Sequence, residues 1–381
     1  MNKPYYFILL FISFLSCRAQ DKLHNFKFAP GSPFEVGSRP IDITIADINK
    51  DTKADIVVLN SEKGDINFLS GEGTGQFKKS LHTSLFIGLS THTVESGDID
   101  KDGYSDLIFS QHDSYNISVM LGDGKGVFLS APGSPFPALK REIEHNHGLI
   151  IIDFNKDGFL DIATSTHNDS SVSVFLGDGT GLFKEAGGSP FSVGRGPYPL
   201  SGADFNKDGN IDIVTPNLLS STITVLFGDG KGSFLNAAGS TIKVLERPYH
   251  TATGDINNDS NPDILISHDD INSITVLLGD GNGLFIPANG SPIDPGYRSY
   301  KMVLIDINND KKLDLIANSY PKFVSVMLGD SNGGFTHIKD SPIEVGDSPN
   351  GVSVTDINGD GKYDIIVAST EDNNISVLLG Q

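Results

Sequence analysis

Apolar and polar positions recur along this chain in one fixed order. An alternating β-branched run leads into a polar stretch with aspartate at every second place, as in "GDIDKDGYSDLIF" over residues 97–109. Then come an apolar run such as "DIVT", a few polar residues, a second run such as "ITVLFGDG", a glycine turn, and a run opening on Phe. Short alternating runs of this kind, punctuated by Gly, Asp and Asn, predict antiparallel strands and not helices. One unit reads as strand A, aspartate loop, strand B, loop, strand C, glycine turn, strand D.

The period of the unit carries the architecture. The loops begin at Asp47, Asp98, Asp153, Asp204, Asp255, Asp306 and Asp356, spaced by 51, 55, 51, 51, 51 and 50 residues. A chain of 381 residues would otherwise suggest two or three domains, but a regular period overrides that expectation. Seven four-stranded units around an axis make an all-β, seven-bladed β-propeller. The last unit ends at "ISVLLGQ", a strand C with no D, while residues 26–37, "FKFAPGSPFEVG", read as a strand D with no C before it. The N-terminal strand is expected to pair with the last blade and close the ring, because an open edge invites aggregation. The propeller is expected over residues 26–381, with blades near 38–88, 89–141, 142–195, 196–245, 246–296, 297–346, and 347–381 plus 26–37.

Charge sharpens this picture. The formal net charge is −20, and loop aspartates account for 22 of the 48 acidic residues; the other acids nearly balance the 28 Lys and Arg. The acidity belongs to the loops, and nothing is basic enough to grip a nucleic-acid backbone. The opening "MNKPYYFILLFISFLSCRAQDK" has a lysine, then an apolar run too short to span a membrane, then small and polar residues. It predicts a signal peptide over residues 1–16 followed by a tether over 17–25. Cys17, the only cysteine, resembles the lipidated cysteine of bacterial lipoproteins; cleavage after residue 19 is the alternative. Either way the expectation is an exported monomer without a disulfide, at the outer membrane or cell surface through a lipid on Cys17, or else secreted or periplasmic.

The recurring "GDGxGxF" is read as a hairpin turn. A phosphate-binding loop needs a helix after its glycines, and here a strand follows. The aspartate loops follow D-x-[DN]-x-D-G-x-x-D, with oxygen ligands at positions 1, 3, 5 and 9 and a main-chain carbonyl near position 7. Such hard donors suit Ca²⁺, and clustered carboxylates without a cation would repel one another. The candidate ligands are Asp47, Asn49, Asp51 and Asp55; Asp98, Asp100, Asp102 and Asp106; Asp153, Asn155, Asp157 and Asp161; Asp204, Asn206, Asp208 and Asp212; Asp255, Asn257, Asp259 and Asp263; Asp306, Asn308, Asp310 and Asp314; Asp356, Asn358, Asp360 and Asp364. Up to seven structural Ca²⁺ ions are expected. The set at Asp98 has four carboxylates and should bind tightest. Thr52, Ser260 and Lys311 stand where the sixth position favours glycine, so the loops at Asp47, Asp255 and Asp306 should bind weakest.

On these loops the chain resembles the FG-GAP or VCBS repeat family, whose propeller forms the head of integrin α-chains. The literal Phe-Gly pair occurs in place only at Phe227-Gly228, and "GSP" stands where the family name has Gly-Ala-Pro. Absence of tryptophan argues against WD-type and kelch repeats. The resemblance implies structural calcium on one face and partners on the other.

That other face has its own pattern. Six residues before each loop stand Ile41, His92, His147, Tyr198, Tyr249, Tyr300 and Asn350. The B-to-C loops of the same face are expected to add His112, His167 and His268, with Arg247, His250 and Arg298 nearby. The leading reading is a binding or adhesion module for a glycan or extracellular protein, with the arginines favouring an anionic sugar. A polysaccharide lyase using His or Tyr as acid and base is the alternative, and a scaffold whose rings only fill the mouth is the third.

Overall fold

The computed structural model describes residues 25–79, 85–112, 114–138 and 146–381. The signal segment, Cys17 and the tether up to residue 24 lie outside the described residues. Seven antiparallel sheets of four or five strands form among those described, and no helix. Blade 2 shows the plan: Thr91–Gly97 is strand A, Asp106–Gln111 strand B, Asn116–Gly122 strand C, and Phe128–Ser130 with Phe136–Pro137 strand D. Strand B is buried throughout in every blade apart from Tyr320 at the end of blade 6. Both of its faces meet neighbouring blades, which explains its unbroken apolar runs.

Seven apolar cores hold the ring, each shared by two adjacent blades. Val57 and Leu59 of blade 1 pack with Val94 and Phe109 of blade 2, while Ile56 and Val58 turn the other way to Ile366 and Ile375 of blade 7. Blades 2 and 3 share a core, as do 3 and 4, 4 and 5, 5 and 6, and 6 and 7. The second residue of each aspartate loop (Ile48, Ile99, Phe154, Phe205, Ile256, Ile307, Ile357) is buried in one of them and anchors the loop.

Blade 7 takes its outer strand from the start of the chain. Phe26–Phe28 pairs with Asn374–Gly380 in the register Phe26 to Gly380, and Phe34–Glu35 pairs further along the same strand. Strand D is broken in two where "GSP", or "DSP" at residues 340–342, occurs. There the serine Oγ accepts the strand C amide that the broken strand leaves: Val119, Val174, Val276, Val326 and Val377 donate to Ser134, Ser189, Ser291, Ser341 and Ser32 over 2.8–3.1 Å. In blade 4 the sequence reads Gly-Ser-Thr, no proline intervenes, and strand D runs unbroken over Phe234–Lys243.

Candidate functional site

The two faces of the ring carry different chemistry. On one lie the aspartate loops, pinned by the aspartate at position 9. In every blade its side chain is 0 % exposed. Its Oδ2 accepts the amide of the loop's second residue over 2.7–3.2 Å. Its Oδ1 accepts the amide of the glycine ending strand C over 2.7–2.9 Å. That glycine is obligatory, since a Cβ at Gly122 would come within 2.4 Å of the Ser105 carbonyl oxygen. Burial pushes the carboxyls up to about 6 at Asp106, Asp161, Asp263, Asp314 and Asp364 and about 7 at Asp212, against the pull of these amides.

The loop backbone is left-handed at two positions, where the sequence pointed to one. Position 6 has φ of 83° at Gly103 and 67–69° at Thr52, Ser260 and Lys311, so those three side chains occupy a conformation that favours glycine. Position 4 is left-handed too, at Lys50, Lys101, Lys156, Lys207, Asn258, Asn309 and Gly359.

The blade 2 loop fits a hard cation on its own geometry. Oxygens of Asp98, Asp100 and Asp106 lie within 4.8 Å of one another. Asp98 Oδ1 is buried and accepts no hydrogen bond, which leaves it aimed at a missing partner. Partial desolvation, with Asp102 and Asp98 nearby, holds the Asp100 carboxyl above its ordinary range. An oxygen-only set of this kind would suit a hard divalent cation such as Ca²⁺. Asp102, expected as a ligand, is not part of that cluster: its Oδ1 accepts the Tyr104 amide at 2.9 Å. In the other loops both position 1 oxygens take loop amides, as Asp153 does from Asp157 and Gly158, whereas Asp98 takes only the Gly103 amide, through Oδ2.

The opposite face opens into a channel cavity of about 350 Å³ lined by the inner strands. Around its mouth the rings six residues before the loops meet edge to face, tilted or face to face. Centroids are 4.3 Å apart for His147 and Tyr198, 4.7 Å for Tyr198 and Tyr249, and 4.9 Å for Tyr249 and Tyr300. His112 stacks on His92 at 4.7 Å, and His167 meets His147 at 4.9 Å. Arg298 lies over both Tyr300 and Tyr320. The collar therefore runs through blades 2 to 6 and gives way to Asn350 and Ile41 in blades 7 and 1.

Two expectations for this face are corrected. His268 is not on the mouth: it ends strand B, is 0 % exposed, and bonds the Glu246 carbonyl and Thr275 Oγ1, both at 2.9 Å. Its offset from the loop aspartate is 13 residues where His112 and His167 have 14, and one residue along a strand turns a side chain to the other face. Arg247 is committed to Asp269 and Asp270, and Arg298 stands 4.0 Å from Asp270, so the rim offers little net positive charge to an anionic sugar. His250, five residues before its loop, lines the cavity below the rim, and burial then Lys301 hold it down to about 3 and so uncharged.

Deeper residues went unnoticed in the sequence. Lys301 Nζ donates to Asp42 Oδ1 at 2.6 Å, and Asp42 Oδ2 accepts the Val94 amide at 3.1 Å. Glu95 lines the cavity beside them, and desolvation raises its carboxyl to about 7 despite Lys301.

Solved structures share the fold at low identity. An Agrocybe aegerita lectin that recognises non-reducing terminal N-acetylglucosamine is 18% identical, with 80% of this chain and 81% of that one covered and a TM-score of 0.53. Virginiamycin B lyase from Staphylococcus aureus is 14% identical over 93% of this chain and 98% of that one, TM-score 0.59. A protein from Lactobacillus plantarum is 13% identical over 81% and 87%, TM-score 0.61. Comparison with curated protein sequences gives no match. The FG-GAP-like repeat model matches residues 47–109, 98–164, 153–215, 255–317 and 306–367, more than half of the chain. With seven such units closed into one propeller, the chain belongs to the FG-GAP-like repeat family.

Proposed function

We propose that this propeller is a calcium-stabilised binding module of the cell exterior whose ligand surface is the mouth of the channel, and that the ligand is a glycan. The observation that carries the reading is the aromatic collar. His147, Tyr198, Tyr249 and Tyr300 sit at one phase of the repeat, partly exposed, at the entrance of a cavity, where a purely structural position would stay apolar as Ile41 does. Flat rings offer stacking surfaces for sugar faces, and their polar edges supply the few directed hydrogen bonds that set orientation. A lectin of the same fold supports the idea that a propeller of this shape can present a sugar site. The calcium loops hold the opposite rim, with blade 2 as the tightest site.

The test is to replace His147, Tyr198, Tyr249 and Tyr300 together by alanine and compare glycan-array binding with the parent, using the melting temperature as the folding control. Loss of binding by a well-folded variant supports the reading. Binding retained at full strength refutes it and leaves the scaffold.

A further inference from the structure

Charge accounting inside the channel narrows the ligand. The cavity is lined by residues three to six places before the aspartate loops, from Tyr198 and Asn350 at the rim to Glu95 and Ile150 at the bottom, and by no residue of the loops themselves. At about 3.3 Å per residue this is a well roughly 10 Å deep. A well of that depth accepts an end unit and not the middle of a polymer.

The cations of this region are already answered. Lys301 bonds Asp42, Arg247 bonds Asp269 and Asp270, and Arg298 faces Asp270. Asp42 is spent as well, one oxygen on Lys301 and the other on the Val94 amide. Glu95 differs. Among the described residues its carboxylate accepts no hydrogen bond and has no ion partner within 4.0 Å, although it lines the cavity and keeps partial exposure to it. A carboxylate with unused acceptors at the bottom of a well is complementary to a hydrogen-bonding cation. Above it stand the rings of Tyr198, Tyr249 and Tyr300, and phenol rings also favour a nearby cation. His250 adds a neutral ring whose buried Nδ1 lacks a hydrogen-bond partner.

We propose that the well receives the end unit of an amino sugar bearing a free, protonated amine, with the ammonium set against Glu95 and the sugar ring against the tyrosine collar. This rests on the glycan reading above and specifies its ligand class. An acetylated amine loses the charge, and a uronate brings the wrong one.

The experiment is calorimetric titration of the full exported chain, in calcium at pH 6.5, where the sugar amines still hold their protons, with three probes: a glucosamine trimer with free amines, an N-acetylglucosamine trimer, and hexylammonium. The expected result is binding of the free-amine trimer at least about tenfold tighter than the acetylated one, a preference abolished in Glu95→Gln without loss of thermal stability. Equal binding of the two trimers, or a preference that survives in Glu95→Gln, overturns the inference and leaves the glycan reading standing. Hexylammonium binding that depends on Glu95, with neither trimer bound, supports the cation well and overturns the amino-sugar assignment. No binding by any probe overturns the inference, and the glycan array decides the reading it rests on.

Discussion

Glu95→Gln removes one ionisable group from the channel while keeping its shape. Desolvation moves this carboxyl from an ordinary 4.5 up to about 7, with Lys301 pulling against the shift and Asp42 adding to it. A carboxyl whose folded pKa exceeds its unfolded one binds protons more readily in the folded state. It therefore takes nothing from stability below about pH 4.5, costs progressively more as pH rises, and exacts its full cost above about pH 7. At about 1.4 kcal/mol per pKa unit the shift corresponds to roughly 3 kcal/mol. Water in the channel screens part of it, which brings the expected cost to about 1–2 kcal/mol. In a domain of this size that is about 1–3 °C of melting temperature. The assay is calorimetric melting of parent and variant at pH 5 and pH 8 in excess calcium. Titrating loop aspartates act on both proteins alike, so the difference between them isolates Glu95. The variant's advantage should grow by about 1–2 °C between the two pH values. An advantage that stays constant, or shrinks, as pH rises refutes the placement of an ionisable, poorly solvated carboxylate in the well. A group that costs stability at neutral pH and serves no packing need is one that binding would retain.

The remaining predictions concern the frame. EDTA should lower the melting temperature, and Asp98→Asn should weaken one calcium site by about tenfold in a calorimetric titration, more than Asp306→Asn does. Deleting residues 26–37 should leave Asn374–Gly380 with a bare edge, seen as aggregation in size-exclusion chromatography. Ser189→Ala should cost about 1–2 kcal/mol in urea unfolding, because the Val174 amide loses its acceptor. His268→Ala should cost about 2–3 kcal/mol and leave glycan binding unchanged, whereas Tyr198→Ala should do the reverse.

The blades were legible because their signal is periodic. A pattern repeated about every 51 residues averages out local exceptions, and counting back from the aspartates is enough to place His147, Tyr198, Tyr249 and Tyr300 at one mouth. The same counting failed for His268, where an offset of one residue separates a rim side chain from a buried one. It was blind to Lys301, Asp42 and Glu95 for a different reason. Lys301 and Asp42 stand five residues before their loops and Glu95 three, on blades 6, 1 and 2, and the bonded pair is 259 residues apart in sequence. Nothing local marks such a meeting, because only closure of the ring brings it about. The serine of "GSP" was visible, but its role as a substitute acceptor depends on where strand D breaks.

The Lys301–Asp42 contact also bears on how the ring fails. Blade 7 is assembled from both ends of the chain, and its outer strand is held by edge pairing, the Val377–Ser32 bond and the packing of Ala29 and Phe34, with no covalent link to the strand it pairs with. Lys301 reaches from blade 6 past the inner strand of blade 7 to Asp42 of blade 1, which in turn holds the Val94 amide of blade 2. The crossing needs Gly351, where a Cβ would come within 3.0 Å of the Asp42 Cα. Thr370 adds a bond to the Pro40 carbonyl at 2.7 Å along the same line. The inner rim is thus a hoop fastened across the seam independently of the terminal strand. Heat or a pull on the N-terminus should peel the outer edge of blade 7 first, while the hoop keeps the channel and its ligand well intact until a later, separate step.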